Sequence, residues 1–537
     1  MTGPGQAAAP EQAAPGQATQ GRAAPAAGQV GPGQVGYAQL WTVDPAAWRA
    51  TGVAWASLAG LGERRAGELA DGATVLRSGW SGQAAGAAEV RLAELRAELL
   101  TLAPAAIEAD QTLAEFAARL TAARARLSAA VTLADTAGVL VDRWGQVRPD
   151  PGRLPADRAG PPVVAVASAI RGALDLAAAA DREAADRLGQ LAEAAGSGWS
   201  ARPPPGRPAP GTDPNLVNLW WTGLTPAERR WLVGHEPDLV GRLDGIPAVA
   251  RDQANRLLLG ARREALLAQW GQLLARVPRG PVELAGLRRI DAALAGLDAL
   301  AARLAAPETP RAYLLGLEVG GEGRAVVALG NPDRATGILT YVPGMTAGLD
   351  DATGELGRAA RVLSRCAELA PGEETSAVLW LDYDAPDFLH EAALDWQARA
   401  AGDGLHRFQE GLRASHDGPA ARQTVLGHSY GSLVVGTAAR DHGLAADALV
   451  FVGSPGVGVA HASELGVPPG QVWASTAPDD VIRLTRPPGE LIRPAINGIS
   501  PLGALTDLLA GPGDERWFGR DPANPALDGM AKIVLGR

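Results

Sequence analysis

Gly427-His428-Ser429-Tyr430-Gly431 reads G-x-S-x-G, the pattern of a nucleophile elbow, in which a serine sits on a strained turn between a strand and a helix. Gly427 and Gly431 suit a turn with no room for side chains beside the serine, whose own backbone is forced into a sparsely populated region. With 67 Gly in 537 residues, roughly 0.4 such matches arise by chance if about one residue in 20 is Ser, so the flanks must decide. Gln423-Thr424-Val425-Leu426 is a short β-capable run, and Ser432-Leu433-Val434-Val435-Gly436-Thr437-Ala438-Ala439 suits a closely packed helix. Strand, turn and helix are therefore expected in that order.

Around this motif, from residue 309 to 537, short β-type runs alternate with helical ones, which implies an α/β fold with a mostly parallel sheet. Strands are expected at Tyr313–Val319, Arg324–Gly330, Thr336–Val342, Ser376–Leu381, Thr424–Leu426, Ala448–Val452 and Gln471–Ser475. Helices should fill 349–368, 389–415, 430–441 and 501–510. The continuous apolar runs Val378-Leu379-Trp380-Leu381 and Leu449-Val450-Phe451-Val452 suit strands buried on both faces.

The preceding half is all-α. Residues 1–37 form a Gly/Ala/Pro/Gln-rich tail expected to be disordered, without the basic start and apolar run of a signal peptide. Residues 38–200 carry apolar residues at helical spacing, for example Val90, Leu92, Leu95 and Leu99, then Ile107, Leu113 and Phe116 after Pro104. Residues 201–215 form a stiff Pro-rich linker, and 216–308 hold further helices. One of these opens on Thr225-Pro226-Ala227-Glu228, a capping box with Pro at the first helical position.

Composition excludes several functions. A formal net charge of −10 leaves no basic stripe for nucleic acid, and Lys532 is the single lysine. One cysteine, Cys366, excludes an intramolecular disulfide and a Cys-based zinc site, and the seven His lack metal-ligand spacing. No cofactor is expected, and no apolar run reads as a membrane span.

An elbow serine needs a base, an acid to orient it, and donors for the oxyanion. The N–H of Tyr430 is one expected donor. Thr340-Tyr341-Val342-Pro343-Gly344-Met345-Thr346 runs from a strand into Pro-Gly and offers Met345 or Thr346 as the second. Asp480, or its neighbour Asp479, follows the last expected strand and is the acid candidate. The base is the difficulty, because the usual chain order is Ser, acid, His, and no histidine follows Asp480. His461 is on the carboxyl side of a strand and could reach Ser429 only by an unusual loop path. His442 should close the elbow helix, and His428 should point away from the serine.

With these residues in place, the chain resembles the actinobacterial α/β-hydrolase family catalogued as DUF1023. The resemblance rests on Leu329-Gly330-Asn331-Pro332-Asp333, Thr340–Gly344, Trp380-Leu381-Asp382-Tyr383-Asp384-Ala385-Pro386, Thr424–Ser432, Val452–Gly458, Val472–Val481 and Trp517-Phe518-Gly519-Arg520-Asp521-Pro522. It implies an α/β-hydrolase fold, a Ser429 nucleophile, an acid at Asp479 or Asp480, and a His near the C-terminus. This sequence departs at the last point: Asn524-Pro525 runs directly into the closing helix Ala526–Val534, where the family pattern has a His-containing segment. In the helical half, Ser78-Gly79-Trp80-Ser81-Gly82 resembles the W-x-G turn of WXG100 helical hairpins linked to type VII secretion. The expected function is therefore hydrolysis of a small ester or acyl substrate, weakened by the absent histidine. The alternative is an inactive α/β-hydrolase-fold binding protein or a secretion-associated protein with a helical partner. The location implied is cytoplasmic, or outside the cell by a type VII-like route.

Overall fold

The computed structural model describes residues 35–155, 158–196, 204, 206–276, 280–306, 310–345, 347–386, 395–475, 518 and 524–537. The expected tail up to residue 34 and the expected helix over 501–510 lie outside the described residues.

The helical half opens with α1 (Tyr37–Thr42), α2 (Pro45–Gly79) and α3 (Gln83–Thr136). Asp44 caps α2 by accepting from the Ala46 N–H, with Pro45 at the first helical position. The chain reverses through Trp80-Ser81-Gly82, where Gly82 takes φ +114°, open only to glycine at little strain. Helix α3 continues through Pro104 without interruption. The proline has no N–H for the Leu100 carbonyl, and Gly234 packs beside both residues at 3.6 and 3.7 Å from where its Cβ would be.

A short antiparallel hairpin, β1 (Val139–Val141) with β2 (Val147–Pro149), then leads to α4 (Gly160–Gly196). Val166, Ile170, Ala173, Ala177 and Ala180 recur at helical spacing on α4 and bury against Leu120, Ala123 and Leu127 of α3. By length and composition α4 is the one described helix that could cross a membrane, although the sequence showed no such run; here one of its faces packs on α3.

Five helices follow: α5 (Pro214–Thr222), α6 (Pro226–His235), α7 (Pro237–Arg242), α8 (Ala248–Ala275) and α9 (Pro281–Ala305). The capping box forms as read, with Thr225 N–H donating to Glu228 Oε2 at 2.8 Å and Glu228 N–H to Thr225 Oγ1 at 3.3 Å.

The C-terminal sheet has seven strands: β3 (Ala312–Glu318), β4 (Arg324–Leu329), β5 (Gly337–Val342), β6 (Thr375–Leu381), β7 (Arg422–His428), β8 (Ala448–Val452) and β9 (Val472–Ser475). Their spatial order is β3-β4-β6-β5-β7-β8-β9. Strand β4 is antiparallel to both neighbours, and every other pair is parallel. The intervening helices are α10 (Ala352–Leu369), α11 (Trp396–Ser415) and α12 (Gly431–Asp441), and α13 (Pro525–Val534) closes the chain.

Alternation along β5 assigns the helices to faces. Thr340 Oγ1 accepts from Gln409 of α11 at 2.8 Å, whereas Tyr341, the next residue, donates its hydroxyl to Glu355 of α10 at 2.7 Å. The sheet is thus covered on both sides, which is why its strands read as unbroken apolar runs. Leu259, Leu266, Ile290 and Leu297 of α8 and α9 join the same core, so these helices pack as part of the sheet's covering.

The two halves meet through a buried lattice of charges. Asp110 of α3 accepts from Arg49 of α2 at 2.8 Å and from Arg311, at the entry to β3. Asp252 of α8 accepts from Arg311 at 3.1 Å, Arg256 at 2.8 Å, Gln111 at 2.9 Å and the Leu314 N–H at 2.8 Å. Four of these charged residues, Arg49, Asp110, Asp252 and Arg311, are at most 3% exposed, so the lattice is closed to water. Each carboxylate is compensated by two guanidinium groups, as burial of a charge requires.

Asp333 is a second buried carboxyl. It accepts from the Ala248 N–H at the start of α8 (2.6 Å) and from Ser415 Oγ (2.7 Å). Burial pushes its pKa up to about 7, against the opposing hydrogen bonds from Ser415, Ala248 and Val249. The unfolded chain loses this proton near the ordinary Asp value of about 3.9. Between about pH 4 and 7 the folded state therefore holds a proton that the unfolded state has lost, and stability falls as pH rises. Asp333→Asn removes this contribution. Urea midpoints taken from pH 4 to 7 should fall less steeply in Asp333→Asn than in the parent, by as much as about 4 kcal/mol over the window. Parallel profiles would refute the assignment.

Candidate active site

The elbow forms where β7 meets α12. Ser429 has φ +52°, the only positive φ outside glycine among the described residues. Its N–H donates to the Val452 carbonyl at the end of β8 (3.0 Å), and Ser432 Oγ donates back to the Gly427 carbonyl (3.0 Å). The flanking glycines are steric requirements. A Cβ on Gly427 would lie 2.6 Å from Ser432 Cα, and one on Gly431 2.3 Å from the Val342 carbonyl oxygen. Half-buried Ser429 thus stands at the carboxyl end of the sheet, one residue before Tyr430, which caps α12.

The Pro343-Gly344 loop lies directly against the serine. A Cβ on Gly344 would come within 2.7 Å of Ser429 Cβ and 3.1 Å of Oγ. Half-buried Met345 follows, packed against the core; Thr346, the other donor candidate, lies outside the described residues. Across from this loop, the Tyr430 N–H belongs to the first turn of α12, where the helix dipole favours negative charge. The Tyr430 ring is buried, and its hydroxyl, bonded to the backbone of Ala398, is pushed up to about 12 mainly by burial.

His428 points away from the serine, as alternation requires. Leu426 pairs with Tyr341 across β7 and β5, and His428, two residues on, shares that face. Its ring stacks on Tyr341 at 6.4 Å and meets the edge of Phe518 at 6.0 Å. Behind it, Glu355 joins the Tyr341 hydroxyl to Arg358, an ionic anchor that the sequence did not reveal.

The structure does not bring His461 to Ser429. The loop after β8 runs along α12 away from the elbow: Val457 abuts Gly436, the Gly458 carbonyl accepts from Arg440 (2.7 Å), and Gly466 lies beside Ala439. His461 is exposed there, with its N–H on Glu464. His442 caps the far end of α12 and packs on Gly402. His406, His416 and His235 bond the carbonyls of Gly443, Ala335 and Trp231. Among the described residues, then, no histidine ring is hydrogen-bonded to Ser429 Oγ; His390 lies outside them. Asp479 and Asp480 also lie outside the described residues. Strand β9, which precedes them, ends at Ser475 two strands from β7 on the same carboxyl edge as the elbow.

Tyr383 is a site residue that sequence reasoning passed over. Its buried hydroxyl donates to the Pro343 carbonyl at 2.7 Å and the Gly344 carbonyl at 3.2 Å. The available signal was its position two residues after a strand that read as buried on both faces.

Comparison with known proteins agrees with this geometry. Residues 319–489 match a family model described as Alpha/beta hydrolase. An uncharacterized protein of Mycobacterium bovis is 32% identical over 253 residues, which cover 44% of this chain and 94% of that protein. An uncharacterized protein of Mycobacterium tuberculosis is 30% identical over 353 residues, covering 61% of this chain and 51% of the relative. The chain belongs to the alpha/beta hydrolase family. It spans about half the length of the longer relative.

Proposed function

We propose that this chain is a serine hydrolase that cleaves an ester or related acyl bond through Ser429. The observation that carries this reading is the strained Ser429 backbone at φ +52° with Gly344 packed against its Cβ and Oγ. In this reading Ser429 Oγ attacks the substrate carbonyl. The resulting oxyanion is held by the N–H groups of Tyr430 and of Met345 or Thr346, and the alcohol leaves to give an acyl-serine that water hydrolyses. Asp480 or Asp479 is the acid candidate. Because the sequence departs from the usual Ser, acid, His order, turnover in this reading rests largely on the oxyanion donors and substrate binding. Those alone sustain a rate about 10³–10⁴ over water in a disabled triad. The expected activity is therefore slow.

The test is active-site labelling with a fluorophosphonate probe. The folded parent should label, and Ser429→Ala, with unchanged circular dichroism, should not. A folded parent that does not label overturns the reading.

The same departure from the usual order of triad residues favours a second reading, an α/β-hydrolase-fold binding protein with little or no turnover. Its partner surface would be the tip of the α2–α3 hairpin, where Trp80, Val75 and Val90 are exposed. The resemblance of Trp80-Ser81-Gly82 to W-x-G hairpins supports a helical partner linked to type VII export and, with it, a location outside the cell.

A further inference from the structure

We infer that Tyr383 is the positioning residue of the oxyanion loop, its hydroxyl fixing the peptide that carries the Met345 N–H, one of the two donor candidates, beside Ser429. The inference rests on the serine-hydrolase reading above and extends it to a residue that never touches substrate. One hydroxyl serves two successive carbonyls, those of Pro343 (2.7 Å) and Gly344 (3.2 Å). In a trans peptide the C=O and the following N–H point to opposite sides. With both carbonyls drawn to Tyr383, the Gly344 and Met345 N–H groups face away from it. Gly344 is also the residue on which a Cβ would collide with Ser429, 2.7 Å from its Cβ.

The tyrosine is itself held rigidly. Its ring is 3% exposed and stacks on Trp380 with centroids 6.1 Å apart and planes within 9°. Trp380 belongs to β6, hydrogen-bonded to β5, the strand that delivers the loop. Loop and clamp therefore hang from adjacent strands. Burial, reinforced by Tyr430 and Glu355, pushes the Tyr383 hydroxyl well above its ordinary pKa, so it stays a donor over the working pH range. Pre-orientation matters because oxyanion donors act without reorganising during the reaction.

The experiment compares the parent, Tyr383→Phe and Trp380→Phe in the full chain. The readouts are the rate of fluorophosphonate labelling, kcat and KM on a p-nitrophenyl ester, and affinity for a trifluoromethyl ketone, which forms a tetrahedral adduct with serine. Tyr383→Phe keeps the ring and loses the two hydrogen bonds. Labelling, kcat and ketone affinity should fall together by about tenfold to a hundredfold, with KM within about twofold. Trp380→Phe loosens the stack that holds the same ring and should lower the urea midpoint and, to a smaller extent than Tyr383→Phe, the same three readouts. Parental labelling and ketone affinity in Tyr383→Phe overturn the inference and leave the serine reading standing. A folded parent that never labels overturns both. If Tyr383→Phe does not fold, Tyr383→Gln replaces it; its shorter side chain cannot bridge both carbonyls, so labelling should fall there too, and parental labelling in the folded Tyr383→Gln protein overturns the inference.

Discussion

Ser429→Gly is expected to give a protein that resists urea better than the parent while losing fluorophosphonate labelling altogether. A non-glycine residue in the left-handed region costs about 1–2 kcal/mol, and Ser429 alone among the described non-glycine residues has positive φ. Glycine relieves that cost but gives back about 0.4–1 kcal/mol through the greater freedom of the unfolded chain. The net gain should be up to about 1 kcal/mol. Ser429→Ala lacks the nucleophile and keeps the strain, so it should sit at or below the parent. The contrast between the two variants separates backbone strain from the loss of a hydroxyl. Equal urea midpoints for the glycine and alanine variants would show that the turn stores no strain. A stability gain on replacing the candidate nucleophile with glycine is the pattern of a site kept strained for function.

Asp252→Ala should be far more damaging, though it lies in the interface between the two halves. This carboxylate is fully buried and accepts from Gln111, Arg256, Arg311 and the Leu314 N–H. Burial alone would raise its pKa, but Arg256, Arg311 and the hydrogen-bond donors hold it below the ordinary Asp range. Its contribution is therefore present at neutral pH and is lost only as pH falls through that depressed value. Removing it leaves Arg256 without its ion partner and Arg311 with Asp110 alone, at a cost of about 3–5 kcal/mol. Against a total stability of about 5–15 kcal/mol, this should sharply reduce soluble yield and the urea midpoint. Asp252→Asn keeps the shape and one acceptor oxygen and should lose less. A midpoint for Asp252→Ala within about 1 kcal/mol of the parent would mean the lattice does not hold the halves together.

The strands and the elbow were legible because burial on both faces leaves a local mark. Val378–Leu381 and Leu449–Val452 are continuous apolar runs, and both are strands covered on either side. The strand order was not legible, since the antiparallel insertion of β4 between β3 and β6 is decided by pairing across long stretches of chain. The β1–β2 hairpin was missed because each strand has three residues. Its signal was the turn at Asp142, whose Oδ1 accepts from the Trp144 and Gln146 N–H groups. No local pattern sets Arg49, Asp110, Asp252 and Arg311 apart from other charges in the sequence; only tertiary contact makes them a lattice. His461 was correctly placed after a strand, but the direction of its loop follows from Val457 fitting against Gly436, which no local pattern records.

The lattice also sets a timetable for the emerging chain. Arg49 and Asp110 leave the ribosome some 200 residues before Arg311, a delay of roughly 10–40 s at about 5–20 residues per second. Through that interval the α2–α3 hairpin holds an ion pair whose other members have not been synthesised, and the surface that later covers it does not exist. Docking must then join residues more than 200 positions apart, the kind of distant contact that slows folding. The docking surface of the nascent N-terminal half therefore stays uncovered until the first strand of the sheet has been made.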